Sequence, residues 1–472
     1  MNGGKSAEHA GGRVRKFLVV LIILAGAYVG AAYVLGGQVR ERYFSFLEEY
    51  ERYGFVSLSN HAYEQGFLSS TAQTLVEMRV PGERDDTGEA EVSRFVVRHV
   101  MHHGPLTGKG SDFFRNPGLA RVESTIEPWV VGGSAENLFT QYPELARATS
   151  EVHVGFEGRV HGDVRIPAMD RSIDGEHVIW EGLTLRAEVV PASRSMRGEL
   201  NMPGLVVKTG EGSIKFDAVS SNFDLSEVMP LVYAGQINAG IAAMDITPAD
   251  GDAIRVSELN LSSNSSCDNS LYQYAQTIGV QSVTVGESAY GPAFCELTGK
   301  NIDANALSQF QTSLQELYRT MADNESDLFY ERVGELYGSL FAKVLAGTPE
   351  IHMPRLQVVT PMGEMTGAFS AKLTSPVEGA ALNPLLLLQH LEAGVQLAVH
   401  EELLKGLLRM SLGQGVEAGS DELEILVQLR YNEQIEPLLA QNLIVRDGDV
   451  IKADAVFAKG RLAVNGQAVP LF

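Results

Sequence analysis

Three histidines within five positions, His99, His102 and His103, form the densest set of potential metal ligands in the chain, and zinc is the ion that such a set would suit. They lie in and just after VSRFVVRHV at 92–100, whose alternation predicts a strand. On a strand rising ~3.3 Å per residue, His99 and His103 share a face about 13 Å apart while His102 points the other way, so one ion cannot join them. Ser69 and Ser70 are possible nucleophiles, but no G-x-S-x-G elbow holds them and the sequence places no base beside them, so they read as small residues suited to a tight hairpin. His61 and His153 have no cysteine or carboxylate at ligand spacing. No Walker string or G-x-G-x-x-G opens a strand-turn-helix unit, and the acidic pairs Asp85-Asp86 and Glu401-Glu402 lack calcium-loop spacing. No catalytic residue, metal site or cofactor is expected.

With 37 Lys and Arg against 59 Asp and Glu the formal net charge is −22, which repels nucleic-acid backbones at long range. The acidic residues are spread along the chain, as on a solvated surface. At 472 residues, 44% of them hydrophobic, the chain can bury cores in two or three units.

The element that positions the rest is at the start. Phe17 to Leu35 is a run of 19 residues without charge, about what a helix needs to cross ~30 Å of hydrocarbon. Arg13, Arg15 and Lys16 precede it, so residues 1–16 read as a cytoplasmic tail, 17–35 as a single transmembrane anchor and everything later as lying outside the cytoplasm. A cleaved signal peptide at Ala25-Gly26-Ala27 is the competing reading. In an oxidising compartment Cys267 and Cys295, the only thiols, are expected to be bridged, the alternative being two separate buried thiols.

Residues 36–54 predict a helical stalk capped at Gly54. FVSLSNHAY and FLSSTAQTLVEMRV flank Glu64-Gln65-Gly66, a hairpin whose glycine would take positive φ. From 55 to 300, alternating runs such as VIWEGLTLRAEVV, GSIKFDAVSSNF and AIRVSELNLSS predict an elongated antiparallel β body, with a turn at Pro248-Ala249-Asp250-Gly251. Residues 301–443 read as a mixed helical region with a short β stretch at 351–374. Its helices are carried by Leu307, Phe310, Leu314, Leu317 and Met321, by Phe329, Val333, Leu336, Leu340 and Val344, and, over 383–413, by Leu388, Leu391, Val395 and Val399. The last of these stripes could zip to a partner chain or pack on its own sheet. Asp447-Gly448, Lys459-Gly460 and Asn465-Gly466 predict a terminal β-meander over 444–472, preceded by a helix that Asn442 can cap. The fold class is therefore α+β: a transmembrane helix, an elongated and mostly antiparallel β body, helices in the C-terminal half and a terminal meander.

Three strings, YEQGFLSSTA at 63–72, HGPL at 103–106 and LLAQNLIVRDGDVIKADAVFAKGRLAVNGQAVP at 438–470, resemble the YdgA-like family of bacterial envelope proteins of unknown function. Tyr63, Gly66, Phe67, Ser69, Ser70, His103, Gly104, Pro105, Asp447, Gly448, Gly460, Asn465 and Gly466 carry the match, and Asn442 stands where members tend to have glycine. The resemblance implies an inner-membrane anchor, a periplasmic body and no catalytic residues, and the long β body is similar in fold to the grooved proteins of the AsmA type. Non-catalytic binding of an apolar or amphipathic envelope partner, such as lipid, is the function expected. Docking of the helices to an envelope complex is the alternative, and a membrane-tethered hydrolase a third.

Overall fold

The computed structural model describes residues 6–49, 52–53, 56–84, 90–108, 117–131, 134–135, 139, 142–173, 175–320, 326–377, 384–412 and 421–470. The chain divides into two compact units, one of residues 1–169, 182–198 and 318–324 and one of 170–181, 199–317 and 325–472.

The first unit opens with helix α1, Ser6–Glu49. Strands β1 (Val56–Gln65), β2 (Ser69–Arg84), β3 (Ala90–His103), β4 (Ala120–Pro128), β5 (Thr149–Val154), β6 (Val160–Ile166) and β7 (Leu183–Val190) follow. Each pairs antiparallel with the next, as a meander. Ala32, Gly36, Val39 and Leu47 of α1 recur at helical spacing and are all buried. Val39 packs on Ala72, Met101 and Ala120, one from each of β2, β3 and β4, with Tyr43, Tyr63 and Val122 around them.

The second unit is another meander: β8 (Gly212–Met229), β9 (Val232–Pro248), β10 (Ile254–Asp268), β11 (Leu271–Val280), β12 (Ala293–Asp303), β13 (Glu350–Thr360), β14 (Gly363–Leu373), β15 (Leu391–His400), β16 (Val450–Ala458), β17 (Arg461–Val464) and β18 (Gln467–Val469). Successive strands are antiparallel neighbours throughout. Helices α2 (Ala304–Thr320) and α3 (Ser326–Leu345) stand at one end of the strands. There the Ala304 amide donates to the Ser270 carbonyl, the Ser308 hydroxyl donates to that of Pro230, and Phe310 stacks on Tyr337. Helices α4 (Glu401–Leu412), α5 (Asp421–Gln434) and α6 (Glu436–Ala440) belong to the other end. There the Glu401 amide donates to Asp449, and Gly406 is so close to Met362 that a Cβ would meet its sulfur.

Several expectations are corrected. No helix among the described residues is long and apolar enough to cross a membrane, which overturns the transmembrane reading of 17–35 and the α+β class built on it; the described chain is mostly antiparallel sheet. Within that run Ala32 is fully buried against protein, and the side chains of Phe17 to Gly26 lie outside the described residues, as do Gly54, Asp85-Asp86 and Met321. The 36–49 stretch is no free stalk, because Val39 and Leu47 are buried. The helix expected over 383–413 is a 3-10 turn at Pro384–Gln389, strand β15 and then α4. Leu391, Val395 and Val399 also satisfy a two-residue period, and with Gly394 and the β-branched Val395 and Val399 in the run the sheet environment wins over the weak helical stripe. Gly66 is absent from the positive-φ residues; it is small because a Cβ would sit 2.6 Å from the Ser69 carbonyl oxygen, to which its amide donates. The turns at Gly251, Gly448, Lys459-Gly460 and Asn465-Gly466 and the cap at Asn442 do show positive φ, as the sequence predicts.

Candidate functional site

The strings at 63–72 and 103–106 meet beneath α1. Even-numbered residues of β2 from Ser70 to Val76 turn toward the helix and are buried, and the register sets Ser70 opposite Met101 and Ala72 opposite His99. His103 Nδ1 lies 2.8 Å from the carbonyl oxygen of Ala32, so that nitrogen carries the proton and donates. Its Nε2 then accepts from the Ser70 hydroxyl at 3.1 Å. Gly36 makes room for this ring, since a Cβ there would fall 2.6 Å from His103 Cε1. Gly104, at φ +145°, lies close under Tyr28 and Ala32, and the Tyr28 hydroxyl donates to the carbonyl of Leu106. One strand pair deeper, His99 bonds Thr74 Oγ1 at 3.0 Å and Ser124 Oγ at 2.8 Å, and Tyr43 joins Thr74 to Asn60. A single direction satisfies that chain: Ser124 donates to His99, His99 to Thr74, Thr74 to Tyr43 and Tyr43 to Asn60. Burial lowers the His99 imidazole to about 4, and burial also pushes His103 down while its bond to the Ala32 carbonyl pulls the other way.

The sequence left Ser70 without a base, and the structure corrects this by placing His103 beside it. Both side chains are closed off from solvent: Ser70 is 1% exposed and His103 3%, with α1 over both. What the residues do is hold α1 to the sheet. His99 and His103 share a face, as alternation predicts, and each ring is occupied by hydroxyl or carbonyl partners. Among the described residues no group of three His, Cys, Asp or Glu could hold a metal ion. His61 stacks on Trp129 and His153 bonds Thr107. Tyr63 stacks on Tyr43 and Phe44, and Phe67 on Tyr33.

The expected disulfide is corrected. Both thiols are free: Cys267 lies opposite Tyr272 on one side of β11 and Cys295 opposite Ile278 on the other. Six residues of strand separate those positions, ~20 Å at the strand rise, against the ~7 Å limit for bridgeable Cα atoms. Asp447, Gly448, Gly460, Asn465 and Gly466 serve turns, and Asn465 also bonds the Asp454 amide and the Asn442 carbonyl.

Sequence reading of single strands missed a surface that pairing creates in the second unit. The register sets Cys295 against Leu356, Leu356 against Gly367, Gly367 against Leu397 and Leu397 against Ala453. In the next rows Met353, Phe369, Val395 and Ala455 align, as do Ile351, Ala371, Ala393 and Phe457. At the other end Val358, Met365, Val399 and Ile451 align. A bulge on β13 at Pro354-Arg355 keeps Ile351 and Met353 on the same face as Leu356 and Val358, an irregularity that tolerates proline. From the Ile351 row to the Val358 row, this face of β13 to β16 carries only apolar side chains or glycine. The opposite face holds the Lys372–Glu392 ion pair at 3.0 Å, Arg355–Glu296 at 3.6 Å, and bonds from Gln357 to Glu364 and from Gln396 to Asp454. Val399 and Ile451 are buried at the α4 end, whereas Val395 at 43%, Leu397 at 40% and Ile351 at 42% are open. Five strands at ~4.8 Å spacing and about seven residues of rise give about 400 Å² of face, within the range of the largest apolar patches that monomers carry.

A family model described as a bacterial protein of unknown function, DUF945, matches residues 14–472. No curated protein and no solved structure matches the chain.

Proposed function

Since the chain belongs to the DUF945 family, a bacterial family of unknown function, we propose a function from its surfaces: the apolar face of β12 to β16 binds the hydrocarbon of a lipid or similar amphiphile, without catalysis. The observation that supports this is the contrast of the two faces. Protein interfaces carry about one hydrogen bond per 100–200 Å². The rows through Leu356, Phe369, Val395 and Leu397 present no side-chain donor or acceptor beyond a thiol and thioethers, which suits an acyl chain better than a protein partner. Charged and amide side chains on the other face keep it in water. A groove-like lipid role of the AsmA type and a bacterial envelope location are in keeping with this reading.

The test is crosslinking of the purified full-length protein with a photoreactive phospholipid, followed by mapping of the labelled peptides. Labels should fall on segments 351–358, 365–371 and 393–399. Lipid found elsewhere, or none, overturns the proposal. A second reading, docking to a protein complex, is favoured by one feature: Tyr330, Tyr337 and Phe341 on α3 are exposed along one side of the helix. It predicts that their replacement by serine releases a co-purifying protein while lipid labelling is unchanged.

A further inference from the structure

We propose that the cavity between α2 and α3 binds a carboxylate with a hydrocarbon body, a fatty acid being the simplest, and that Lys343 is its counter-ion. The cavity measures about 460 Å³, within the ~300–1,000 Å³ of small-molecule sites. Its floor is apolar because each helix turns an apolar stripe inward: Ala306 and Phe310 come from α2, Leu336 and Leu340 from α3. Ala306 and Phe310 are buried. Pro230, in the turn between β8 and β9, also lines the cavity, and the Ser308 hydroxyl donates to its carbonyl at 2.8 Å, so that polar contact is made within the protein.

The rim is polar and follows the same periodicity. Gln309 and Ser313 lie one turn apart on α2, Ser339 and Lys343 one turn apart on α3, and all four line the cavity. Lys343 donates to the Gln309 side-chain oxygen at 2.6 Å, which uses one of its three protons. Among the described residues it meets no carboxylate, and the hydroxyls of Ser313 and Ser339 engage no protein group. Elsewhere on the helices of the second unit Arg332, Lys405, Arg409 and Arg430 each pair with a glutamate, in a chain whose acidic residues outnumber its basic ones 59 to 37. A cation in the last turn of α3 suits the helix dipole, yet among the described residues no carbonyl of the backbone takes the two remaining ammonium protons. A positive charge and two unengaged hydroxyls above an apolar floor match an anionic head on a hydrocarbon body. A cationic ligand would be repelled by Lys343, and a neutral hydrocarbon would gain nothing from the rim. One ammonium balances the single charge of a carboxylate, whereas a phosphate monoester carries nearly two.

The experiment is titration calorimetry of the full-length protein with decanoate below its micellar concentration. Decanoate should bind at a single site, and decanol at least about tenfold more weakly, as the loss of a charge-assisted hydrogen bond implies. Lys343→Gln should weaken decanoate by a similar factor, Lys343→Arg should keep it, and Ser339→Trp should block the site with its indole. Lys343 and Ser339 are exposed, so these variants should retain the circular dichroism of the unsubstituted protein. No binding, equal binding of decanol, or binding that survives Lys343→Gln overturns the proposal. Val395→Lys/Leu397→Lys alters the sheet face of β12 to β16 and should leave decanoate binding unchanged. If decanoate goes to the sheet face instead, that variant loses it while Lys343→Gln keeps it, which also overturns the proposal. The cavity and the sheet face share no lining residue, so either proposal can fail alone.

Discussion

His103 donates from Nδ1 to the carbonyl of Ala32, 2.8 Å away, and so ties strand β3 to the middle of α1. Residues 71 apart in sequence are joined by one ring, whose second nitrogen engages Ser70. The backbone carbonyl fixes the tautomer, so the bond to Ser70 has a defined direction.

Replacement of His103 by leucine leaves the Ser70 hydroxyl buried without its partner, at a cost of about 1–3 kcal/mol. Gly36→Val should act in the same direction by driving a side chain into the imidazole. The measurement is amide hydrogen exchange across residues 28–47. Both variants should lose protection there and keep it in β8 to β16, whereas unchanged protection of α1 would show that the contact does not hold the helix.

Stability should depend on pH through His99. Its folded pKa, about 4, lies below the ~6.5 of an unfolded chain, so the unfolded state binds the extra proton between those values. The contribution is therefore complete above pH ~6.5 and is lost as pH falls toward ~4, about 3 kcal/mol in all. Denaturant titrations from pH 7 to pH 4 should show this fall, and His99→Gln should flatten it. An equally steep fall in the variant would assign the effect to other groups.

Unreduced, denatured protein should take up label at both Cys267 and Cys295, because the register holds them apart. In the native protein Cys267 should react slowly at neutral pH, since burial and the neighbouring Asp268 push its thiol up. Absence of free thiol in the denatured sample would contradict the register of β10 to β12.

The meander was legible wherever turns carry their own chemistry. Asn465-Gly466 and Lys459-Gly460 require positive φ at both positions, and both have it. Alternation likewise revealed that His99 and His103 share a face. It did not reveal β15, where Leu391, Val395 and Val399 satisfy helical and strand periods alike and only the neighbours β14 and β16 decide. The Ser70–His103 contact was invisible because strand pairing, a non-local event, creates it. For the same reason the apolar face could not be counted from single strands: the Pro354-Arg355 bulge reverses the alternation within β13, so Ile351 and Val358 appear to lie on opposite sides until the register is known.

The face through Val395 and Leu397 is proposed to hold hydrocarbon. Native mass spectrometry of the full-length protein purified from its host decides this, with Val395→Lys/Leu397→Lys as the comparison. Both positions are exposed, so the variant should fold with the same circular dichroism and thermal transition. Lipid should be retained on the unsubstituted protein and be at least tenfold less on the variant, a difference of about 1.4 kcal/mol or more in binding. Lipid held equally by both, or by neither, would contradict it.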